Sequence, residues 1–215
     1  MSEPAAEIAH QFVDAGQQRD AATFGMWIFL CTEVLLFGAL FLGYTVYRLQ
    51  NPETFDEAAA HTLIVAGSIN TAILLVSSFC VAVAVHLAEQ GERLRVTLLL
   101  CTAALLGALF LAVKAYEYHL KIQEGLFPGQ AFHFSGPHSQ GVEMFFVLYF
   151  TMTGLHALHV AVGVAVLTGY GVAVLLAQRP ARLATAVDLA GLYWHFVDIV
   201  WVFLFPLFYL VGRAP

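Results

Sequence analysis

Glu33 is the only charged residue between positions 24 and 47 of the sequence. An ionised carboxylate in the middle of an apolar helix costs several kcal/mol unless it is protonated, paired or hydrated. Two readings follow: an acid hydrogen-bonded to a neighbouring helix, or a carboxylate that exchanges a proton. His156 and His159, in Thr-Gly-Leu-His-Ala-Leu-His, are three apart and share a helix face. Such a pair can ligate a metal, but a site needs further ligands and none are patterned nearby. The alternative is interhelical hydrogen bonding by neutral imidazoles. His195 and Asp198 are again i, i+3 neighbours. They could exchange a proton or neutralise one another, with Trp194 and Trp201 packing on the same side. Arg179 and Arg182, beside Asp188, could hold the anionic phosphate of a phospholipid or simply set topology. Lys114, Glu117, Lys121 and Glu124 alternate in sign and read as a solvated helix end.

The elements that must carry these groups follow from composition. Of 215 residues 60% are apolar and 11% charged, where a soluble domain has about 45–50% and about 25%. So few charges cannot cover so much apolar surface, and a bilayer must be the solvent. Apolar runs at 24–47, 63–88, 96–113, 144–177 and 189–212 hold at most one charge each. A span needs about 20 such residues, which predicts an all-α, polytopic bundle of five transmembrane helices near 24–47, 63–88, 94–118, 143–177 and 188–212. Residues 1–23 form an acidic segment, expected to be interfacial or disordered, ahead of a membrane domain over 24–215. That segment has no basic stretch leading into a short apolar one, so no cleaved signal peptide is expected. Arg19, Arg93, Arg95, Arg179 and Arg182 share one side, against Arg48, Lys114, Lys121 and Arg213. The compact arginine pairs place the N-terminus inside and the C-terminus outside. The stretch 116–143, punctuated by Gly125, Pro128, Gly129, Gly136 and Pro137, is expected to be an ordered lid on the outer face.

Net charge −6 offers no surface for nucleic acid. Cys31, Cys80 and Cys101 stand alone in apolar runs and read as small buried hydrophobes. Four of nine histidines (His10, His61, His133, His138) fall outside the runs, so no haem pattern emerges. Ala157, Ala161, Ala165, Gly169, Ala173 and Ala177 make a small-residue stripe suited to close helix packing, echoed by Ala104, Ala108 and Ala112. Eighteen phenylalanines supply bulk toward lipid or a partner subunit.

Five segments carry a resemblance: Gly25-Met26-Trp27-Ile28-Phe29-Leu30-Cys31-Thr32-Glu33, Asn70-Thr71-Ala72-Ile73-Leu74-Leu75, Tyr116-Glu117-Tyr118, Thr153-Gly154-Leu155-His156-Ala157-Leu158-His159-Val160, and Tyr193-Trp194-His195-Phe196-Val197-Asp198-Ile199-Val200-Trp201. In that order, from residue 24 onward, the chain resembles subunit III of haem-copper terminal oxidases. The resemblance implies a non-redox accessory subunit of a respiratory, proton-translocating complex in the bacterial inner membrane. It would pack directly on subunit I, beside subunit II and possible small helical subunits. It would hold phospholipid and support proton uptake and turnover stability, with haem and copper in the partners and no catalytic residue, cofactor or metal of its own. Glu33 matches the family's carbodiimide-associated membrane carboxylate. The longer family form has seven helices, and this chain resembles its last five, so a lipid cleft formed with the first two is not expected within this polypeptide; a partner chain could supply the missing pair. Cytochrome c oxidase is favoured by Glu33 and the Trp-His-Phe-Val-Asp run. Quinol oxidase and the accessory protein of nitric oxide reductase are the alternatives, and a small proton or ion transporter is the alternative of another class.

Overall fold

The computed structural model describes residues 11–129, 132–134, 139–178 and 180–210. Among them are six α-helices: α1 (Ala15–Gln50), α2 (Pro52–Ala60), α3 (Ile64–Glu89), α4 (Arg93–Gln123), α5 (Ser139–Leu176) and α6 (Ala184–Phe205). A 3-10 turn, Pro180–Leu183, precedes α6, and a π-helical turn, Pro206–Leu210, extends it. All but α2 are long and apolar enough to cross a membrane. No strand occurs among the described residues.

The boundaries differ from the expected ones where polar residues join helices. α1 starts at Ala15, so residues 15–23 are helical rather than a separate segment. Asp14 caps it by accepting from Gln17 N–H at 2.7 Å, while the Gln17 side chain accepts from Val13 N–H at 2.8 Å. These reciprocal bonds are of the capping-box kind and satisfy N–H groups that the helix cannot. At about 1.5 Å per residue, α1 is longer than a hydrocarbon core of about 30 Å and must tilt or emerge. Asn51-Pro52-Glu53 starts a helix that was not expected: proline suits the first position and an acid the first turn. α4 runs to Gln123 and α5 starts at Ser139, so the lid expected over 116–143 is half helix. Gly125, at φ 73°, takes the left-handed position that closes α4, with Leu126 N–H bonded to Lys121 C=O at 3.0 Å. Gly136, Pro137, Arg213 and positions 211–212 of the expected last span lie outside the described residues.

α3 to α6 form the bundle, and α1 lies against α5 and α6 through one seam. On α1 only Leu30, Phe37 and Tyr44, at seven-residue spacing, are buried. α4 buries Ala103, Gly107, Phe110, Lys114, Glu117 and Lys121, alternating four and three residues apart. α5 buries His156, Val160, Gly163, Leu167, Gly171 and Val174, likewise three or four residues apart. The centre is set by Trp194: a Cβ at Gly107 would sit 2.6 Å from its ring, and one at Gly163 2.7 Å. Only glycine at both positions admits the indole between α4 and α5.

Three expectations are corrected. The alanine stripe of α5 is not its packing face: Ala161, Ala165 and Gly169 are exposed, as are Ala108 and Ala112 of α4. The packing face lies around the helix, where Gly163 and Gly171 meet Trp194 and Cys101. Cys31 and Cys101 are exposed and only Cys80 is half-buried, since a thiol is apolar enough for a lipid-facing position. Many phenylalanines point inward rather than toward lipid. Phe55, Phe145, Phe146 and Phe208 are buried in edge-to-face contacts with one another and with Tyr44 and Tyr149, making an aromatic plug toward the α2 end.

Candidate functional site

Glu33 falls on the bundle-facing stripe of α1, one turn from Leu30 and Phe37. Its Oε2 lies 3.0 Å from His159 Nε2 across the α1–α5 seam. The two side chains are only 14% and 13% exposed. His159 Nδ1 lies 2.8 Å from Leu155 C=O, and the Tyr193 hydroxyl donates to His159 C=O at 3.0 Å. The Phe37 ring stands edge-on to the imidazole at 5.3 Å. A carboxyl and an imidazole thus meet inside the apolar span, fixed by α1, α5 and α6. Sequence reading singled out both residues but did not pair them.

His156 and His159 do not converge on one site. His156 is fully buried, stacked on Trp201 at 5.3 Å and edge-on to Phe110 at 5.6 Å. Among the described residues neither of its ring nitrogens has a hydrogen-bond partner, and the same holds for Asn70 Oδ1, Trp194 Nε1 and Asp198 Oδ1. His195 and Asp198 do not pair by themselves either. His195 Nδ1 lies 2.7 Å from Ser78 Oγ on α3, and that hydroxyl also stands beside the Asp198 carboxyl. Ser78, missed in the sequence, links α3 to this face of α6. Trp194 and Trp201 are both buried as expected, and Trp201 Nε1 donates to Thr71 Oγ1 at 3.0 Å.

The expected solvated end of α4 is the most polar part of the core. Lys114 is 2% exposed, Glu117 0% and Lys121 1%. The Lys114 ammonium donates to Glu117 Oε2 at 3.1 Å, Tyr149 Oη at 2.9 Å and Tyr209 Oη at 2.8 Å. Its three N–H groups match three acceptors. Tyr209 donates in turn to Glu117 at 2.8 Å. The ammonium also lies within 5.5 Å of the ring centroids of Tyr118, Tyr149, Trp201 and Tyr209. Lys121 reaches out to Glu124 at 2.6 Å. The sequence did contain the signal: positions 103, 107, 110, 114, 117 and 121 continue one helical stripe.

The π-helical turn brings Tyr209 to this cluster. Pro206 has no N–H, so the regular ladder cannot continue through it. Tyr44 donates to Leu207 C=O, and Thr62 Oγ1 lies 3.1 Å from Phe208 C=O. Thus α1 and the α2–α3 turn take up carbonyls that the loosened turn exposes.

At the opposite end, the start of α1 and the start of α6 enclose a groove of about 470 Å³, lined by Gln18, Arg19, Arg182, Thr185 and Leu189 among others. Arg19, Glu89 and Asp188 line an adjoining cavity of about 240 Å³. Arg179 lies outside the described residues. No group of three or more His, Cys, Asp or Glu among the described residues is arranged to hold a metal ion.

Together these features define a multi-pass membrane protein with polar groups locked between helices and a carboxyl–imidazole pair at its most weakly embedded helix. The family model described as cytochrome c oxidase subunit III matches residues 6–213. The chain is 32% identical over 214 residues to cytochrome bo(3) ubiquinol oxidase subunit 3 of Pseudomonas aeruginosa, covering 96% of this chain and 92% of that protein. It is 31% identical over 203 residues to cytochrome c oxidase subunit 3 of Thermostichus vulcanus, covering 93% and 92%. It is 31% identical over 192 residues to quinol oxidase subunit 3 of Bacillus spizizenii, covering 87% and 86%. The chain belongs to the cytochrome c oxidase subunit III family, whose members are subunits of multi-subunit terminal oxidases.

Proposed function

We propose that this chain is a non-redox accessory subunit of a haem-copper oxidase in a bacterial cytoplasmic membrane. It packs on catalytic subunit I, contacts subunit II and small helical subunits, and carries neither haem nor copper. Its ends lie on opposite faces, N-terminus inside, in keeping with Arg19, Arg93, Arg95 and Arg182 on one side. Glu33 supports proton uptake and keeps turnover stable, and the Glu33–His159 contact inside the span is the observation that carries this role. Cytochrome c is the electron donor in this reading. A second reading, quinol as donor, is favoured by the Pseudomonas aeruginosa and Bacillus spizizenii relatives.

Phospholipid is the ligand of the groove between α1 and α6. Arg19 and Arg182 offer cations at the interface, and Ala22, Ala186 and Leu189 offer apolar wall to an acyl chain. The sequence reading named Arg179, Arg182 and Asp188; the groove adds Arg19 from α1.

Affinity purification of the tagged chain, followed by a redox spectrum and assays with reduced cytochrome c and with quinol, tests the assignment. A copurifying haem-copper oxidase is expected, with metal in the large partner after the subunits are separated. Stoichiometric iron or copper on this chain, or no oxidase in the eluate, would overturn it.

A further inference from the structure

The two nitrogens of His159 constrain where protons can be. Nδ1 lies 2.8 Å from the Leu155 carbonyl. A carbonyl only accepts, so Nδ1 carries a hydrogen. Nε2 lies 3.0 Å from Glu33 Oε2. A bond on that line takes a single proton: two would set N–H against O–H, and none would set a lone pair against a carboxylate.

The surroundings decide which atom holds it. Among the described residues Glu33 has no hydrogen bond or ion pair except that with His159, so no Lys, Arg or backbone N–H holds it as a carboxylate. Phe37 closes the site at the imidazole edge, and Phe29, one turn along α1, lies tilted against Tyr193 at 6.1 Å. The titratable neighbours are Tyr193, whose hydroxyl is spent on His159 C=O, and His156, which is buried against Phe110 and Trp201. Separating charge here would desolvate two ions with a single hydrogen bond between them. We propose that Glu33 and His159 form a one-proton site, with Glu33 the carboxylic acid donating to Nε2 of an imidazole protonated on Nδ1.

Proton transfer within the site breaks the Glu33 O–H bond and forms the His159 Nε2–H bond, with no other bond altered. The pair therefore holds a single proton and stays net neutral whichever of the two atoms carries it. This rests on hydrogen-bond stereochemistry and not on the oxidase reading, which copurification tests separately.

Infrared spectroscopy of the intact complex purified through this chain reads the proton directly. The parent-minus-variant spectrum for Glu33→Gln should show one protonated-carboxyl C=O band that shifts down in D2O. In His159→Leu the band should persist at higher frequency, because its acceptor is gone. Carboxylate stretches in place of that band, or a band that does not move in His159→Leu, would overturn the proposal. If His159→Leu fails to assemble, His159→Gln replaces it; its amide is a weaker acceptor, and a smaller upward shift is expected, with no shift again overturning the proposal.

Discussion

Lys114 and Glu117 meet at 3.1 Å on successive turns of α4, both within the core stripe of that helix and both closed off from the membrane. Tyr149 of α5 and Tyr209 of the π-helical turn complete the shell around the ammonium. The pair ties three elements together at one end of the bundle. A charge left alone there has no compensation, and breaking a buried pair costs about 3–5 kcal/mol. Lys114→Met should destabilise the subunit by about that much. The double variant Lys114→Met/Glu117→Gln should recover a substantial part of the loss. Thermal release of the subunit from the complex measures both, and equal losses would show that the pair is not coupled.

Glu33→Gln keeps a donor facing His159 Nε2. Assembly and initial turnover should therefore be close to the parent, while activity declines faster during sustained turnover. An inactivation half-life equal to the parent's would remove the proton-supporting role and leave Glu33 as a packing contact.

Arg19 and Arg182 stand on opposite walls of the groove between α1 and α6. Each cation near a membrane surface contributes about 1 kcal/mol to holding an anionic lipid. The variant Arg19→Ala/Arg182→Ala should copurify with less phosphatidylglycerol or cardiolipin by mass spectrometry. Retention of the parent's lipid complement would dismiss the site.

Gly107 and Gly163 each leave less than a methyl group of room beside Trp194. Gly107→Ala should destabilise the bundle by about 1–3 kcal/mol through overpacking. Combined with Trp194→Leu, the alanine should cost less, since of its two close contacts only that with Val164 Cγ2 at 2.7 Å remains. Additive losses in a double-mutant cycle would mean that the indole is not what Gly107 accommodates.

The spans were legible because apolar runs of 18 to 34 residues with at most one charge each have few structural alternatives outside a bilayer. Glu33 was legible as the lone charge in such a run. Its partner was not, because contact between residues 33 and 159 depends on how α1 lies against α5. The Lys114–Glu117 pair was misread for a physical reason: charges near a span's end usually reach water, and helical spacing alone marked these for the core. The exposed alanines and cysteines were misread because lipid removes the polarity contrast between outside and inside. What distinguishes buried from exposed here is shape, such as the glycines flanking Trp194, and shape follows from tertiary contacts.

The single seam of α1 also has a temporal meaning. Apart from the Tyr44–Phe55 contact, Phe37 and Tyr44 meet His159, Phe196, Leu207 and Phe208, which follow more than 120 positions later in the chain. During synthesis α1 must therefore wait in the bilayer without these contacts until α5 and α6 are inserted. Residues of α5 and α6 are thus the ones that seat α1, and a ribosome stalled before residue 159 would leave α1 adrift and open to membrane proteases.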